Sequence, residues 1–321
     1  MKTKIKIASL FLLGFTAVNA QKYDIKTAKT YAEISVKTDG KWENRKYIGG
    51  TTFNNVEQLK LAPEHTDHSF DIRYEGPGWE NNRIGYRLYL DWRNAIDIFG
   101  KKTSAIVLPK VGQDNFDSYH EMSDWGADIL KAGKGIGIGS IDRYLNNEKL
   151  HFYEVDSTIA KVENSTKESK VKINYFGWKT ASDKIDFTSE LTIKPDDLYT
   201  KHTIQASKEI SGICTGIVKQ KNTELFKKES KNKKWAYLAT YGTQSLVPDK
   251  LGMAIFYEVS SVENVADTDL DYLIVFKPST KSNSFYLLGA WEQEKDGIKS
   301  QEDFVKYLDQ KLEVLNKKGK M

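Results

Sequence analysis

Between Tyr74 and Ile141 the chain gathers the side chains that could do chemistry. Arg73, Arg83, Arg87 and Arg93 share this region with Trp79, Trp92 and Trp125, and with Tyr74, Tyr86, Tyr89 and Tyr119. His120 sits beside Tyr119 and is followed by Glu121 and Asp124. A guanidinium offers a permanent charge in a planar fork that matches carboxylate or sulfate. Aromatic faces pack on sugar rings, and an imidazole beside a phenol can move protons. The mixture points to a site for an acidic carbohydrate.

Read as one strand, Arg83–Arg93 alternates. Ile84, Tyr86, Leu88, Leu90 and Trp92 fall on one face, and Gly85, Arg87, Tyr89, Asp91 and Arg93 on the other. On a solvated face these charges would pair and contribute little. On a cleft wall the arginines would be desolvated and bind anions, and the surrounding aromatics favour the cleft. Tyr119 and His120 would point to opposite faces of a strand, so they cooperate only if their segment turns.

Other candidates have plainer explanations. The run HTDH (His65–His68), or Asp114 and Asp117, could supply metal ligands, but a polar turn accounts for HTDH more simply. The glycine run Gly133–Gly139 lacks phosphate-loop spacing and no clear helix follows it, which argues against nucleotide. It fits a strand needing close backbone approach, with Lys134 able to lend charge to a pocket. His151 and His202 lie in alternating strands and read as structural, Cys214 reads as a buried thiol, and Lys219–Lys234 reads as a solvated hairpin loop.

The elements that must position these groups are mostly strands. Alternating runs occur at Lys149–Val155, Val171–Phe176, Asp186–Ile193, Tyr199–Ala206, Trp235–Tyr241, Met253–Val259, Tyr272–Lys277 and Ser284–Ala290. Lys161–Lys170 reads as a hairpin turn. Strict βαβ alternation is absent, so the expected fold is all-β: a large antiparallel β-sandwich of the super-sandwich type. One C-terminal helix follows, capped by Ser300 with Asp303, striped by Phe304, Leu308, Leu312 and Leu315, and ending before a solvated tail at Asn316–Lys320.

Lys2, Lys4 and Lys6, the apolar run Ile7–Val18 and the small residues before Gln21 read as a secretory leader over residues 1–20. One domain over 21–321 is expected, exported to the periplasm or beyond the cell. The formal charge of +4 then falls to about +1, since the leader carries three lysines and no acid. A near-neutral chain has no global field for nucleic acid or an anionic membrane, and no membrane span is expected after the leader.

The blocks YEGPGWENNRIGYRLYLDWRNAIDIFGKK and GQDNFDSYHEMSDWGADILKAGKGIGIGSI resemble the signature of a secreted bacterial family of unknown function. Its members accompany enzymes that degrade acidic polysaccharides, and one branch resembles the ulvan oligosaccharide dehydratases of marine bacteria. The resemblance implies elimination of water from a uronic acid at the non-reducing end, leaving a 4,5-unsaturated uronyl unit. On that reading His120 is the base, Tyr119 or Tyr86 the acid, and Arg87 and Arg93 hold the carboxylate or a neighbouring sulfate. Trp92 or Trp125 stacks on a sugar, and Arg73, Asp91 and Lys134 complete the binding site. This chemistry requires no cofactor. A polysaccharide lyase cleaving the glycosidic bond and a non-catalytic acidic-carbohydrate-binding protein remain as alternatives at this point.

Overall fold

The computed structural model describes residues 23–113, 118–221 and 223–321. The expected leader, Asp114 and Asp117 lie outside the described residues.

A long ribbon starts the fold. Strands β1 (Thr30–Glu43) and β2 (Lys46–Val56) meet at Asn44 and Arg45, whose φ of 48° and 59° suit a tight two-residue hairpin turn. A short strand β3 (Gln58–Lys60) follows, then β4 (Gly78–Asn81), β5 (Ile84–Leu88), β6 (Ile96–Lys101) and β7 (Gly126–Asp128). The first sheet has the order β2-β1-β4-β5-β6-β7, antiparallel throughout.

The second sheet has nine strands. From one edge these are Glu224–Glu229, Trp235–Thr243, Lys250–Glu258, Asn283–Trp291, Tyr199–Ala206, Asp183–Ile193, Ser169–Thr180, Ser157–Asn164 and β3. A third sheet of five strands is built from Val262–Asp267, Asp271–Phe276, Ile213–Val218, Asp142–Leu145 and Glu148–Leu150.

Side-chain alternation fixes the layers. A Cβ on Gly289 would meet Ile84 and Ile98 at 2.9 Å, and one on Gly139 would meet Leu287. The Trp79 indole N–H donates to Thr200 Oγ1 at 2.9 Å. The first and third sheets therefore share the Leu287 and Gly289 face of the nine-stranded sheet. The opposite face carries helix α1 (Gln301–Lys318), where Phe304 closes against Gly252. Ser300 accepts from the Asp303 backbone N–H, and Phe304, Leu308, Leu312 and Leu315 are all buried. Each such side chain contributes roughly 1.5–3 kcal/mol. The fold is an all-β sandwich with one C-terminal helix, as the pattern predicts.

Several local expectations change. Arg83–Arg93 is not one strand: β5 ends at Leu88, and Asp91 turns the chain by accepting from the Arg93 backbone N–H at 2.8 Å. Lys219–Lys234 contains the strand Glu224–Glu229, an exposed sheet edge whose charges discourage further pairing. In Lys149–Val155 the strand ends at Leu150 and only an isolated bridge from Glu154 to Lys179 follows, and α1 takes in Asn316–Lys318 of the expected tail before Gly319 caps it. The glycine run forms turns and isolated bridges rather than a strand. Gly137 (φ 69°) presses on the Ile96 backbone, so the close approach is to a neighbouring strand. His202 is structural: its Nδ1 contacts Gly139 O at 2.8 Å, and burial lowers its pKa to about 4. Cys214 is buried. No helix among the described residues is long and apolar enough to cross a membrane.

Candidate active site

The inner face of β5 and β6 is apolar, and the outer face is charged yet buried. Tyr86, Ile96 and Ile98 enter the main core, while Arg87, Asp97, Phe99 and Lys101 lie on the buried outer face, where Phe99 packs with Val107, Leu108 and Val111 of the segment 102–113 and with Tyr119. Glu80 ties that segment down, accepting from the backbone N–H groups of Val107 and Leu108 at 2.8 and 2.7 Å, and is itself paired with Lys101. Sheet pleat thus places the charged groups Arg87, Asp97 and Lys101 on one buried face, apart from the apolar core.

Arg87 is the hub. Its Nη2 donates to Asp128 Oδ2 at 2.6 Å and to the Tyr89 hydroxyl at 2.7 Å, and reaches Asp97 Oδ2 at 3.3 Å. Its Nη1 donates to the Tyr119 hydroxyl at 3.1 Å and approaches Glu75 at 3.5 Å. Tyr89 in turn donates to Asp97 at 2.5 Å. Arg93 lies over the Tyr89 ring at 4.0 Å and pairs with Asp91, Glu75 (3.0 Å) and Asp67 (2.7 Å). Glu75 reaches both arginines because Tyr74 and Glu75 adopt left-handed backbone, φ 43° and 69°, at a cost of order 1–3 kcal/mol each.

Carboxylates outnumber guanidinium groups in this cluster. Burial pushes both Asp97 and Asp128 above the ordinary carboxylate range, and the neighbouring Asp128 charge adds to the shift at Asp97; Arg87 opposes both. Burial likewise raises Glu75 against the pull of Arg87 and Arg93. The cluster therefore holds protons readily.

His120 joins this hub through Asp128. Ser118–His120 is one turn of 3-10 helix, so the rings of Tyr119 and His120 fall together with centroids 4.4 Å apart. His120 Nε2 lies 3.4 Å from Asp128 Oδ2, and the imidazole is 30% exposed. Burial raises the Tyr119 pKa and Arg87 opposes it, so the phenol stays protonated. The turn that cooperation requires is present.

Tyr119 borders a cavity of about 380 Å³, together with Arg73, Tyr74, Phe70 and the ribbon residues Lys37 and Phe53. Lys37 is half-buried over the Phe53 ring at 5.6 Å, and among the described residues it forms no ion pair with a carboxylate. Sequence reasoning missed Lys37, which stands far from the motif, and also Glu75, Asp97 and Asp128. A charged residue inside an apolar run, as Asp97 is in IDIF, was the available signal for Asp97.

The other expected site residues scatter. Tyr86 is a correction: it faces the core, its hydroxyl donating to Leu198 O at 2.9 Å and accepting from the Gly289 N–H at 3.1 Å. Arg73 borders the cavity but pairs with Glu33, and Arg87 is enclosed by protein carboxylates, so neither fork is open to a substrate anion. Arg93 and Asp91 pair with each other at the edge of the cluster. Trp125 packs edge-on against Phe99 at 6.0 Å. Trp92 stacks on Tyr153 in a separate groove, and exposed Lys134 borders neither that groove nor the cavity.

The HTDH histidines diverge. His65 Nδ1 meets Asp71 at 2.8 Å, and His68 Nδ1 meets Asp67 at 2.5 Å. Ligand atoms of Asp67, His68 and Glu75 lie within 4.8 Å of one another, but Arg93 Nη2 already bonds both carboxylates, supplying the positive charge a cation would bring.

Residues 8–320 match the family described as a domain of unknown function, DUF4861. The chain belongs to that family. No curated protein matches the DUF4861 chain. Among solved structures, a candidate kojibiose phosphorylase from the human microbiome aligns at 11% identity and TM-score 0.43, over 74% of this chain and 32% of the other. A candidate aldose 1-epimerase from Klebsiella pneumoniae aligns at 9% identity and TM-score 0.36, over 76% and 84%. A 4-alpha-glucanotransferase from Thermococcus litoralis aligns at 11% identity and TM-score 0.33, over 70% and 38%. The chain spans about a third of the length of the first of these.

Proposed function

We propose that this DUF4861 protein is a hydro-lyase that removes water from a uronic acid at the non-reducing end of an acidic, ulvan-type oligosaccharide. The observation that carries the reading is His120 and Tyr119 on one turn, each tied to Arg87, directly or through Asp128, with Tyr119 bordering a cavity that Lys37 also lines. Elimination next to a carboxylate needs a neutralising cation, a base and an acid, and this group supplies one of each.

Lys37 neutralises the substrate carboxylate and makes the C5 proton more acidic. His120 takes that proton, and the C5–H electron pair becomes the C4=C5 double bond. The C4 hydroxyl leaves with the Tyr119 proton as water. Arg87 stabilises the resulting phenolate, and Asp128 stabilises the imidazolium, until solvent returns the proton from His120 to Tyr119. The reading includes export, on the strength of the basic and apolar leader over residues 1–20.

The test is mass spectrometry of a short ulvan oligosaccharide with a saturated uronic acid end, incubated with the mature chain, with ultraviolet absorbance followed in parallel. Loss of one water at constant chain length with rising absorbance is the expected result. Shortened unsaturated products would make the protein a polysaccharide lyase, and binding without product would make it a carbohydrate-binding protein.

A further inference from the structure

We propose that a second groove, on the other side of the Arg93 cluster, is a subsite for a further uronate unit of the same oligosaccharide; this rests on the acidic-saccharide reading above. The groove measures about 650 Å³ and is bordered by Trp92, Tyr153, Arg45 and Lys60. That volume falls within the roughly 300–1,000 Å³ of small-molecule sites.

Its aromatic wall is built in advance. Trp92 and Tyr153 stack with centroids 4.9 Å apart and planes 8° apart, and the edge of His151 steadies both rings. His151 is itself held by Asp142 at 3.0 Å. Tyr153 is nevertheless 66% exposed, the most exposed of the large apolar side chains among the described residues. A ring kept flat by its neighbours and open to water is a preorganised platform for the C–H face of a pyranose.

Charge selects which pyranose. Arg45, at the tip of the ribbon, donates from Nε to Glu64 O at 3.1 Å and from Nη2 to His65 O at 2.9 Å. Backbone carbonyls thus fix its head without neutralising it, and among the described residues neither Arg45 nor Lys60 pairs with a carboxylate. The acids of the groove are occupied: Asp91 by Arg93, and Asp156 by Lys184 at 2.6 Å. The groove therefore keeps an excess of positive charge, whereas the arginines of the central cluster do not. The ribbon lends Arg45 to this groove and Lys37 and Phe53 to the Tyr119 cavity, and the segment 65–70 lends His65 and Thr66 to the one and Phe70 to the other.

The experiment titrates the full chain with a glucuronate-containing tetrasaccharide and with its carboxyl-reduced counterpart, following tryptophan fluorescence. The acidic probe is expected to perturb the fluorescence and to bind on the order of ten-fold more weakly to Tyr153→Ala and to Arg45→Gln. The carboxyl-reduced probe should not distinguish Arg45→Gln from the parent. Both substituted residues are exposed, and unchanged unfolding midpoints verify that the variants are folded. Equal affinity of the acidic probe for all three proteins, or no binding to the parent, overturns the subsite. Water loss is measured in the same samples. Turnover with unchanged KM in both variants leaves the hydro-lyase standing without the subsite; groove-dependent binding with no product leaves the subsite and removes the elimination.

Discussion

Arg87 Nη2 and Asp128 Oδ2 lie 2.6 Å apart, with side chains only 2% and 1% exposed, and this pair joins the sheet to the turn that carries His120. Two charges taken out of water are stable together and costly apart. The pair therefore has a structural consequence besides the part it takes in the proposed elimination.

Replacing the guanidinium exposes the structural part. Arg87→Met leaves Asp97 and Asp128 buried without their cation. A loss of about 3–5 kcal/mol is expected in chemical denaturation. Adding Asp128→Asn should recover part of it, and the double-mutant cycle measures the coupling. Additive losses would show that the two side chains do not act as a pair.

Chemistry is read at His120. His120→Ala is expected to lower kcat by roughly 10²–10⁴ while the protein remains folded, and Tyr119→Phe to act in the same direction. Asp128 lies 3.4 Å from the imidazole, and burial pushes its own carboxyl up to about 6. Asp128→Asn removes that titration, so the acid limb of the kcat/KM profile should move. A limb that stays in place would detach Asp128 from the base.

Recognition of the carboxylate is read at Lys37. Lys37→Gln should raise KM for an acidic oligosaccharide on the order of ten-fold, and added salt should weaken the parent more than the variant. Steady-state kinetics at two ionic strengths decides it.

Stability should depend on pH through Glu294. Burial pushes this carboxyl up to about 7 from the ordinary 4.5, although Arg83 pairs with it at 2.5 Å. The folded state then binds a proton that the unfolded chain has released, so the stabilisation is complete below about 4.5 and is lost as pH rises through about 7. Glu294→Gln should flatten the change of melting temperature with pH across that window. Thermal melts of both proteins in matched buffers measure the difference.

How much of this was legible in the residues varies with the range of the interaction. The antiparallel strands from Ser169 to Trp291 and the helix stripe Phe304, Leu308, Leu312 and Leu315 follow from local periodicity, because one face of each element must be buried. Where both faces are buried, alternation loses its meaning. On β5 the charged and apolar faces are equally hidden, so Tyr86 and Arg87 could be separated by face but not assigned to core and site. The end of β5 was missed because one local hydrogen bond, from the Arg93 N–H to Asp91, outweighed a continuing alternating pattern.

The sequence by itself determined the fold class, the C-terminal helix and the region from which the central residues come, since these rest on patterns between near neighbours. Only the tertiary structure decided what each charge does. Glu75, Asp97 and Asp128 reach Arg87 from separate segments and occupy its fork, whereas Lys37 and Arg45 on the distant ribbon pair with no carboxylate among the described residues. A charge binds substrate or holds protein according to which opposite charge the fold brings within about 4 Å, and that distance is not a property of spacing along the chain.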